Sequence, residues 1–148
     1  VLRGTENPDG SLHLDTLRRK DGTPEIYFPF PGGHMKFHIV YDEKERFYWM
    51  VASHVEHSTT FPVRGHMERR VLGLYASCNL FDWQLTGIVS AGDLRLCSRH
   101  YASLVIDGDD ILVASRSGDS EAKDTHDTDM ITLHRVRKFR NLALPVVE

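Results

Sequence analysis

Residues 123–129 concentrate ionisable side chains in one short segment. Three aspartates and a histidine, Asp124, His126, Asp127 and Asp129, directly precede the alternating apolar and polar stretch 130–133. Carboxyl groups can act as general acids or bases, and a neighbouring histidine can take part in proton transfer. A solvated loop before a strand is the simpler interpretation, so the surroundings of this segment decide its role.

Metal binding is an alternative for the same residue types. His54 and His57 with His66, or His126 with its flanking aspartates, could ligate zinc or calcium. The histidine spacing matches no established zinc signature, and residues 124–135 lack the glycine and terminal glutamate of an EF-hand loop. We therefore expect neither a metal nor another cofactor.

Composition argues against two classes of partner. The net charge of −3 over 148 residues provides no basic surface for nucleic acid or anionic lipid. No apolar run approaches the roughly 20 residues of a membrane-spanning helix. The chain starts at Val1 within a strand-like stretch, which suggests a piece of a longer protein. Cys78 and Cys97 are interpreted as free thiols, and their number and spacing define no compartment.

Short alternating or apolar runs separated by Asp, Gly and Asn turns predict an all-β chain. Residues 37–53 have the pattern of a strand, a polar turn and a strand, and residues 102–117 have the same pattern around Asp-Gly-Asp-Asp. Three further strands are predicted before residue 32, with residues 20–25 as a turn between the last two.

A repeat relates the two hairpins. Val-Ala-Ser recurs at 51–53 and 113–115, and the following segments match when Leu72 is paired with Ile131, Leu74 with Leu133 and Leu80 with Phe139. Each copy then enters a fourth apolar segment, at 83–90 and 142–148. A four-stranded antiparallel unit that repeats at roughly 60 residues predicts β-propeller blades.

The predicted domain is a single partial β-propeller over residues 1–148. Residues 1–31 would form the end of one blade, 32–90 a second and 97–148 a third, or about two and three-quarter blades. A ring needs about 4–8 blades, so we expect a fragment of a larger propeller that missing blades or self-association would complete. A β-sandwich is the alternative.

Up-and-down topology assigns the long loops to one end of the blades. The loops that enter the first strands and the loops that join the second and third strands share that end. Long loops on a rigid scaffold commonly carry function. They contain His34, Arg99, His100, Tyr101, Asp124, His126 and Asp127.

The predicted innermost strand adds a cationic stripe to the same end. Strand alternation places His34, Lys36 and His38 on one side, opposite Met35, Phe37 and Ile39. Near a propeller axis such a stripe would line the central funnel. An ordinary half-solvated strand face is the alternative.

Residues 28–53, 74–89, 104–118 and 125–142 resemble the sialidase-like superfamily of five-bladed propellers, which includes bacterial neuraminidases. The strongest likenesses are Phe-Pro-Gly-Gly-x-x-Lys-Phe at 30–37 and Leu-His-Arg-Val-Arg-x-Phe-Arg at 133–140. The turn at 77–83 is similar to the Ser-x-Asp-Leu-x-x-Trp turn of glycosidase propellers, with Asn79 where Asp is usual.

The resemblance implies a carbohydrate-active protein with named candidates for each role. Glycoside hydrolysis needs carboxyl groups for proton transfer, and a tyrosine serves as the nucleophile in sialidases. The acid/base candidates are Asp124 and Asp127 beside His126, and the nucleophile candidate is Tyr101. Arg99 and Arg116 are candidates for binding a substrate carboxylate, with His34, Lys36 and His100 as further substrate-binding candidates. The structural alternatives are a loop-capping Asp127, an Arg116 paired with a neighbouring blade and a Tyr101 in the core.

Two departures from the family pattern affect these roles. The family has Tyr-x-Asp where this chain has Tyr101, Ala102 and Ser103, and His-Asn-x-His-Asp where it has residues 123–127. We expect a sialidase-like exo-glycosidase that hydrolyses terminal sugars of glycans by carboxylate acid/base chemistry. The alternatives are a non-catalytic glycan-binding or assembly module and a truncated remnant that folds only by self-association. The resemblance is compatible with a secreted or periplasmic location.

Overall fold

The computed structural model of the chain describes residues 2–25, 30–32, 35–56, 68–92 and 97–144. The chain divides into two compact units, Val1–Phe30 and Pro31–Glu148. The described residues form nine strands, arranged in three antiparallel sheets, and one 3-10 helix. The all-β prediction is therefore confirmed, and none of the described sheets closes on itself.

The first unit contains one hairpin. Strand β1 (Leu2–Glu6) pairs antiparallel with β2 (Leu12–Thr16), and Gly10 takes a φ of 80° in the turn between them, a conformation that favours glycine. A second turn follows as predicted, closed by a bridge between Arg18 and Pro24. The third predicted strand of this unit lies mostly outside the described residues, since 26–29 are not among them.

The first sheet of the second unit has four strands. Strands β3 (His38–Asp42), β4 (Phe47–His54), β5 (Val71–Ser77) and β6 (Gln84–Ala91) pair in chain order as an antiparallel meander. Val, Tyr, Phe and Trp residues in β3 and β4 favour extended structure. The four-stranded unit predicted within residues 32–90 is thus confirmed.

The second sheet of this unit has three described strands. Strands β7 (Ser98–Asp107), β8 (Asp110–Gly118) and β9 (Met130–Val136) again pair in chain order. Gly108, with a φ of 62°, forms the tight turn between β7 and β8. The predicted fourth strand at 142–148 does not begin where expected, because Phe139–Leu142 is a 3-10 helix, and residues 145–148 lie outside the described part.

Burial of one ring explains why the chain leaves the sheet there. Lys138 adopts a left-handed φ of 50°, which redirects the backbone directly after β9. The Phe139 side chain is then fully buried and meets Trp49 edge to face, with the ring centroids 4.9 Å apart. Leu80, the residue matched with Phe139 in the predicted repeat, is exposed.

The two sheets of the second unit pack against each other through apolar side chains. His38 links them directly, because its Nδ1 accepts a hydrogen bond from the backbone N–H of Leu104 at 3.0 Å. Fully burying one Val, Leu, Ile or Phe side chain contributes about 1.5–3 kcal/mol. The shared core consists of Trp49, Val51, Leu72, Leu74 and Ala76 from the first sheet and Ala102, Leu104, Ile111, Val113 and Phe139 from the second sheet and its helix.

The predicted repeat contained an error of one residue in register. Val51 lies opposite Leu74, but Val113 lies opposite His134 rather than Leu133. The Val-Ala-Ser match and the leucine match are therefore incompatible. The β3–β4 and β7–β8 hairpins can instead be aligned at their turns, with Asp42 matched to Asp107. In that alignment Val51 corresponds to Ala114.

The turn alignment therefore preserves the leucine match and overturns the Val-Ala-Ser match. A slip of one residue reverses the face on which a side chain lies. Leu74 is buried between the sheets, whereas its counterpart Leu133 is 69% exposed and Ile131 is 72% exposed. The matched leucines thus lie on the inner face of one sheet and on the outer face of the next.

The turn at 77–83 caps its own backbone. The Asn79 side-chain oxygen accepts hydrogen bonds from the N–H groups of Phe81 and Asp82, at 2.9 and 2.8 Å. An amide oxygen thus serves as the acceptor at the position where the similar turns have a carboxylate. Cys78 in this turn is a free thiol, and Cys97 is buried.

Candidate functional site

The loops predicted to carry function converge at one end of the second unit. At that end β4 finishes, β5 begins and β7 begins. The backbone N–H of Arg99 donates to the Arg69 carbonyl at 2.6 Å, which joins the first residues of β7 to the residues that precede β5. Residues distant in sequence are thereby brought together around Tyr101.

Tyr101 has an unusual backbone conformation. Its φ is 49°, and the register of β7 against β8 shifts between His100 and Ser103. A bulge of this kind re-aims side chains, and a left-handed conformation is unfavourable for a bulky residue. Such strained positions cluster at functional sites. Tyr101 is half-buried, so it is not a core residue.

Two cationic side chains lie over the Tyr101 ring, and the charge of a third, Arg116, also acts on the phenol. The Lys36 ammonium lies 5.2 Å and the Arg69 guanidinium carbon 5.5 Å from the ring centroid. Hydrogen bonding to Arg69 lowers the pKa of the Tyr101 phenol, and the charges of Arg69, Lys36 and Arg116 act in the same direction against the effect of burial. The phenol is therefore easier to ionise than an ordinary tyrosine.

Sequence reasoning missed Arg69, which is central to this arrangement. Its side chain is almost completely buried, with 7% of the residue exposed. In the sequence it resembles an ordinary charged loop residue within the polar stretch 66–70. The available signal is its position two residues before β5, whose seven residues are all buried.

The cations of the site are not neutralised by described carboxylates. Among the residues the structure describes, no Asp or Glu forms an ion pair with Lys36, Arg69 or Arg116. Arg116 donates through Nε to the Thr128 hydroxyl at 2.8 Å, so it binds the 119–129 loop and not a neighbouring acid. The site thus carries positive charge available to an anion.

The charged loop reaches the site through His126. Its ring centroid lies 6.4 Å from that of Tyr101. Asp124 organises the loop, since its Oδ1 accepts the backbone N–H groups of His126 and Asp127 at 2.7 and 2.6 Å. These two hydrogen bonds, with that from Asp127 the stronger influence, hold the pKa of Asp124 below its usual value.

Loop capping was the structural alternative for Asp127, but Asp124 is the residue that caps this loop. The Asp127 carboxylate is exposed and lies 3.5 Å from the Lys123 ammonium. It accepts no backbone N–H among the described hydrogen bonds. Asp127 and Asp129 are thus the exposed aspartates of residues 123–129 that cap no backbone N–H among the described hydrogen bonds.

Two of the predicted substrate-binding residues are engaged elsewhere. The Arg99 guanidinium donates to the carbonyls of Ser98 and Gly118, at 2.6 and 2.9 Å, and so ties β7 to β8. His100 has no exposed surface. A direct contact with substrate is therefore not open to His100, and Arg99 has a structural role in joining the strands.

Two members of the predicted cationic stripe approach the same strand of the other sheet. Lys36 lies over the Tyr101 ring and His38 accepts from the Leu104 N–H, and both Tyr101 and Leu104 belong to β7. Strand β3 itself begins only at His38, so Lys36 precedes it. His34 lies outside the described residues.

Several buried polar atoms at this end have no hydrogen-bond partner among the described residues. They include Arg69 Nε and His100 Nε2, together with Ser53 Oγ near the end of β4 and Ser98 Oγ at the start of β7. Buried polar groups are nearly always hydrogen-bonded, so unsatisfied ones call for an explanation such as a bound water or ligand. This end of the sheets therefore has hydrogen-bonding capacity that the described protein atoms do not use.

The metal alternative finds no support in the described part of the chain. No three His, Cys, Asp or Glu side chains come together there in a way that could hold a metal ion. His57 and His66, two members of the predicted histidine set, lie outside that part.

None of the helical segments among the described residues has the length and apolar character needed to cross a membrane. No protein-family model, curated protein or solved structure matches this chain.

Proposed function

We propose that this chain is part of a sialidase-like exo-glycosidase whose substrates are terminal anionic sugars. The observation that supports the proposal is the Tyr101 ring approached by Lys36 and Arg69, with the charge of Arg116 also acting on the phenol and no described carboxylate paired to the three cations. An anionic sugar would be attracted by these cations. It would repel a carboxylate nucleophile, which favours a tyrosine in that role.

The chemistry follows from this environment. The Tyr101 phenolate would attack the anomeric carbon as the glycosidic C–O bond breaks, and the leaving oxygen would take a proton from Asp127. Water would then attack the anomeric carbon and transfer a proton to Asp127, which releases the Tyr101 phenolate. The cations lower the cost of ionising the phenol and bind the substrate anion.

The substrate preference is testable with paired glycosides. We expect sialosides or uronides to be hydrolysed and neutral hexosides of the same aglycone to be poor substrates. Asp127→Asn should lower kcat by about 10²–10⁴-fold on an alkyl glycoside. It should lower kcat less on an aryl glycoside, because an acidic leaving group needs less protonation.

Asp129→Asn is the matched control for that experiment. Asp129 is exposed in the same loop, so its replacement should leave kcat unchanged. Equal loss in both variants would contradict the role of Asp127. Equal hydrolysis of neutral and anionic glycosides would contradict the anionic substrate.

A non-catalytic anionic glycan-binding module is the second candidate. It is favoured by Ser103 at the position where the pattern of the sialidase-like superfamily has an acid, and by the use of Asp124 as a loop cap. Binding of a sialylated glycan without turnover, abolished by Arg69→Met, would support this alternative.

We also propose that the sheets of the second unit are successive propeller blades. If the two sheets formed a β-sandwich related by a two-fold axis, the equivalent faces of the two sheets would pack on each other. Here Val51 and Leu74 face the second sheet, while their turn-aligned counterparts Ala114 and Leu133 lie on the face turned away from the first. Successive blades of a propeller have this arrangement, because the front face of each blade packs on the back face of the next.

The outer face of the second sheet should then be covered by another antiparallel sheet. Its apolar members are Val105, Leu112, Ala114, Ile131 and Leu133. For this chain in isolation we expect a second copy to supply the cover, because a contiguous exposed apolar face marks an interaction surface.

Sedimentation velocity across a concentration series should therefore show self-association. The double variant Ile131→Lys and Leu133→Lys should sediment as a monomer. Leu80→Lys, at an exposed apolar residue of the 77–83 turn, is the control and should still associate. A wild-type chain that is monomeric at every concentration would contradict this interface.

A further inference from the structure

His100 and Tyr101 are neighbours in sequence that contact the same guanidinium. Consecutive side chains of a regular strand point to opposite faces. The left-handed φ of Tyr101 and the bulge in β7 break this alternation. The two rings lie edge to face with centroids 4.5 Å apart, and Arg69 reaches both of them.

The hydrogen bond between His100 and Arg69 has a defined direction. Arg69 Nη1 lies 3.3 Å from His100 Nδ1. A guanidinium can only donate, so Nδ1 must be the acceptor, and the proton of the neutral ring is on Nε2. Protonation of Nδ1 would abolish this hydrogen bond and place a second positive charge beside Arg69.

The environment of His100 keeps the ring neutral. Burial lowers its pKa to about 4, and the positive charges of Arg69 and Arg116 act in the same direction. The Thr125 carbonyl acts in the opposite direction. At neutral pH the ring is therefore an uncharged acceptor.

A neutral acceptor has a particular advantage at this position. Buried arginines are commonly held by carboxylates, which cancel much of their charge. An imidazole can fix the guanidinium by a hydrogen bond and leave its positive charge directed at Tyr101. The same charge is what lowers the pKa of the phenol.

We propose that His100 is a positioning residue, whose buried imidazole accepts a hydrogen bond from Arg69 and holds that guanidinium against Tyr101 without neutralising it. Its catalytic consequence rests on the proposed glycosidase function. Its effect on the phenol does not, because ionisation of Tyr101 is measurable without any substrate.

The test is a phenolate titration by ultraviolet absorbance, with the Tyr101→Phe spectrum subtracted to isolate Tyr101. In His100→Leu, which keeps an apolar volume and lacks the acceptor, the pKa of Tyr101 should rise toward the ordinary tyrosine value. His100→Asn should retain the wild-type titration, because Asn Oδ1 can accept at the position of Nδ1. His134→Asn, at a histidine of β9 away from the site, is the control and should titrate as wild type.

Kinetics supply the second readout. His100→Leu should lower kcat by about 100-fold, since misplacement of a catalytic group by about 1 Å can cost this much, and His100→Asn should recover most of it. Unchanged titration and unchanged kcat in a folded His100→Leu variant would overturn the proposal. If His100→Leu does not fold, loss of the wild-type titration in His100→Asn would overturn it instead.

The two proposals fail in different ways. A shifted titration in His100→Leu, with no glycoside hydrolysed by any variant, would support the positioning role and contradict the glycosidase. Hydrolysis by the wild type, with neither the Tyr101 titration nor kcat changed in His100→Leu, would support the glycosidase and contradict the positioning role.

Discussion

Tyr101→Phe is expected to lower kcat on a sialoside by about 10³-fold or more, since removal of a nucleophile leaves only binding and electrostatic stabilisation. KM should change little, because phenylalanine keeps the ring that Lys36 and Arg69 approach. Steady-state kinetics on one anionic substrate measure both constants. The variant should still bind the substrate, and isothermal titration would detect that binding.

Tyr41→Phe is the matched control, at an exposed tyrosine of β3 whose ring packs on Tyr48. It removes the same hydroxyl from a different place and should leave kcat unchanged. Wild-type kcat in Tyr101→Phe would contradict a nucleophilic phenol. A loss confined to KM would instead indicate that the phenol only binds substrate.

Asp42→Asn is expected to lower the free energy of unfolding by about 3–5 kcal/mol, because removing one member of a buried ion pair leaves the other charge uncompensated. Asp42 is 3% exposed and accepts from Arg140 Nε and Nη2 at 2.7 and 2.9 Å. Arg140 also donates to the Gly108 carbonyl at 3.0 Å, so this cluster joins the first sheet to the turn of the second. Urea unfolding followed by circular dichroism would measure the change.

Asp109→Asn is the control for that measurement. Asp109 also accepts from Arg140 at 3.0 Å, but its side chain is 74% exposed, and exposed ion pairs contribute little. An equal loss of stability in the two variants would contradict the assignment of the stabilisation to the buried pair.

The same pair determines a dependence on pH. Hydrogen bonding to Arg140 lowers the pKa of Asp42 in the folded state. A lowered folded pKa stabilises the fold fully above the unfolded value, about 3.9 for aspartate, and this stabilisation is lost as the pH falls through the folded pKa. The stabilities of the wild type and Asp42→Asn should therefore converge in acid.

The strands and their order were predictable from local patterns. Alternation of apolar and polar residues, with Asp-Gly and Asn turns, indicated the two meanders correctly. The register of the repeat was not predictable in this way. Val-Ala-Ser and the paired leucines were equally good local matches, and only the cross-strand partners of Val51 and Val113 separated them.

The site was predictable in location and only partly in membership. Up-and-down connectivity placed Tyr101 and His126 at one end, where their rings lie 6.4 Å apart. It could not distinguish Asp124 from Asp127, because the choice of which carboxylate caps the backbone depends on the path of the loop. It also could not reveal Arg69, whose burial depends on β5 and β7 being adjacent.

The antiparallel meanders and the long polar loops at one end are properties of local sequence. They follow from a two-residue alternation and from turn residues that act over a few positions. Which side chains of those loops are buried, and which cations approach Tyr101, depends instead on how the sheets pack. Burial and charge at the candidate site arise from residues far apart in the sequence, such as Lys36 and Tyr101, which are 65 positions apart. A pattern that extends over a few residues cannot predict such contacts.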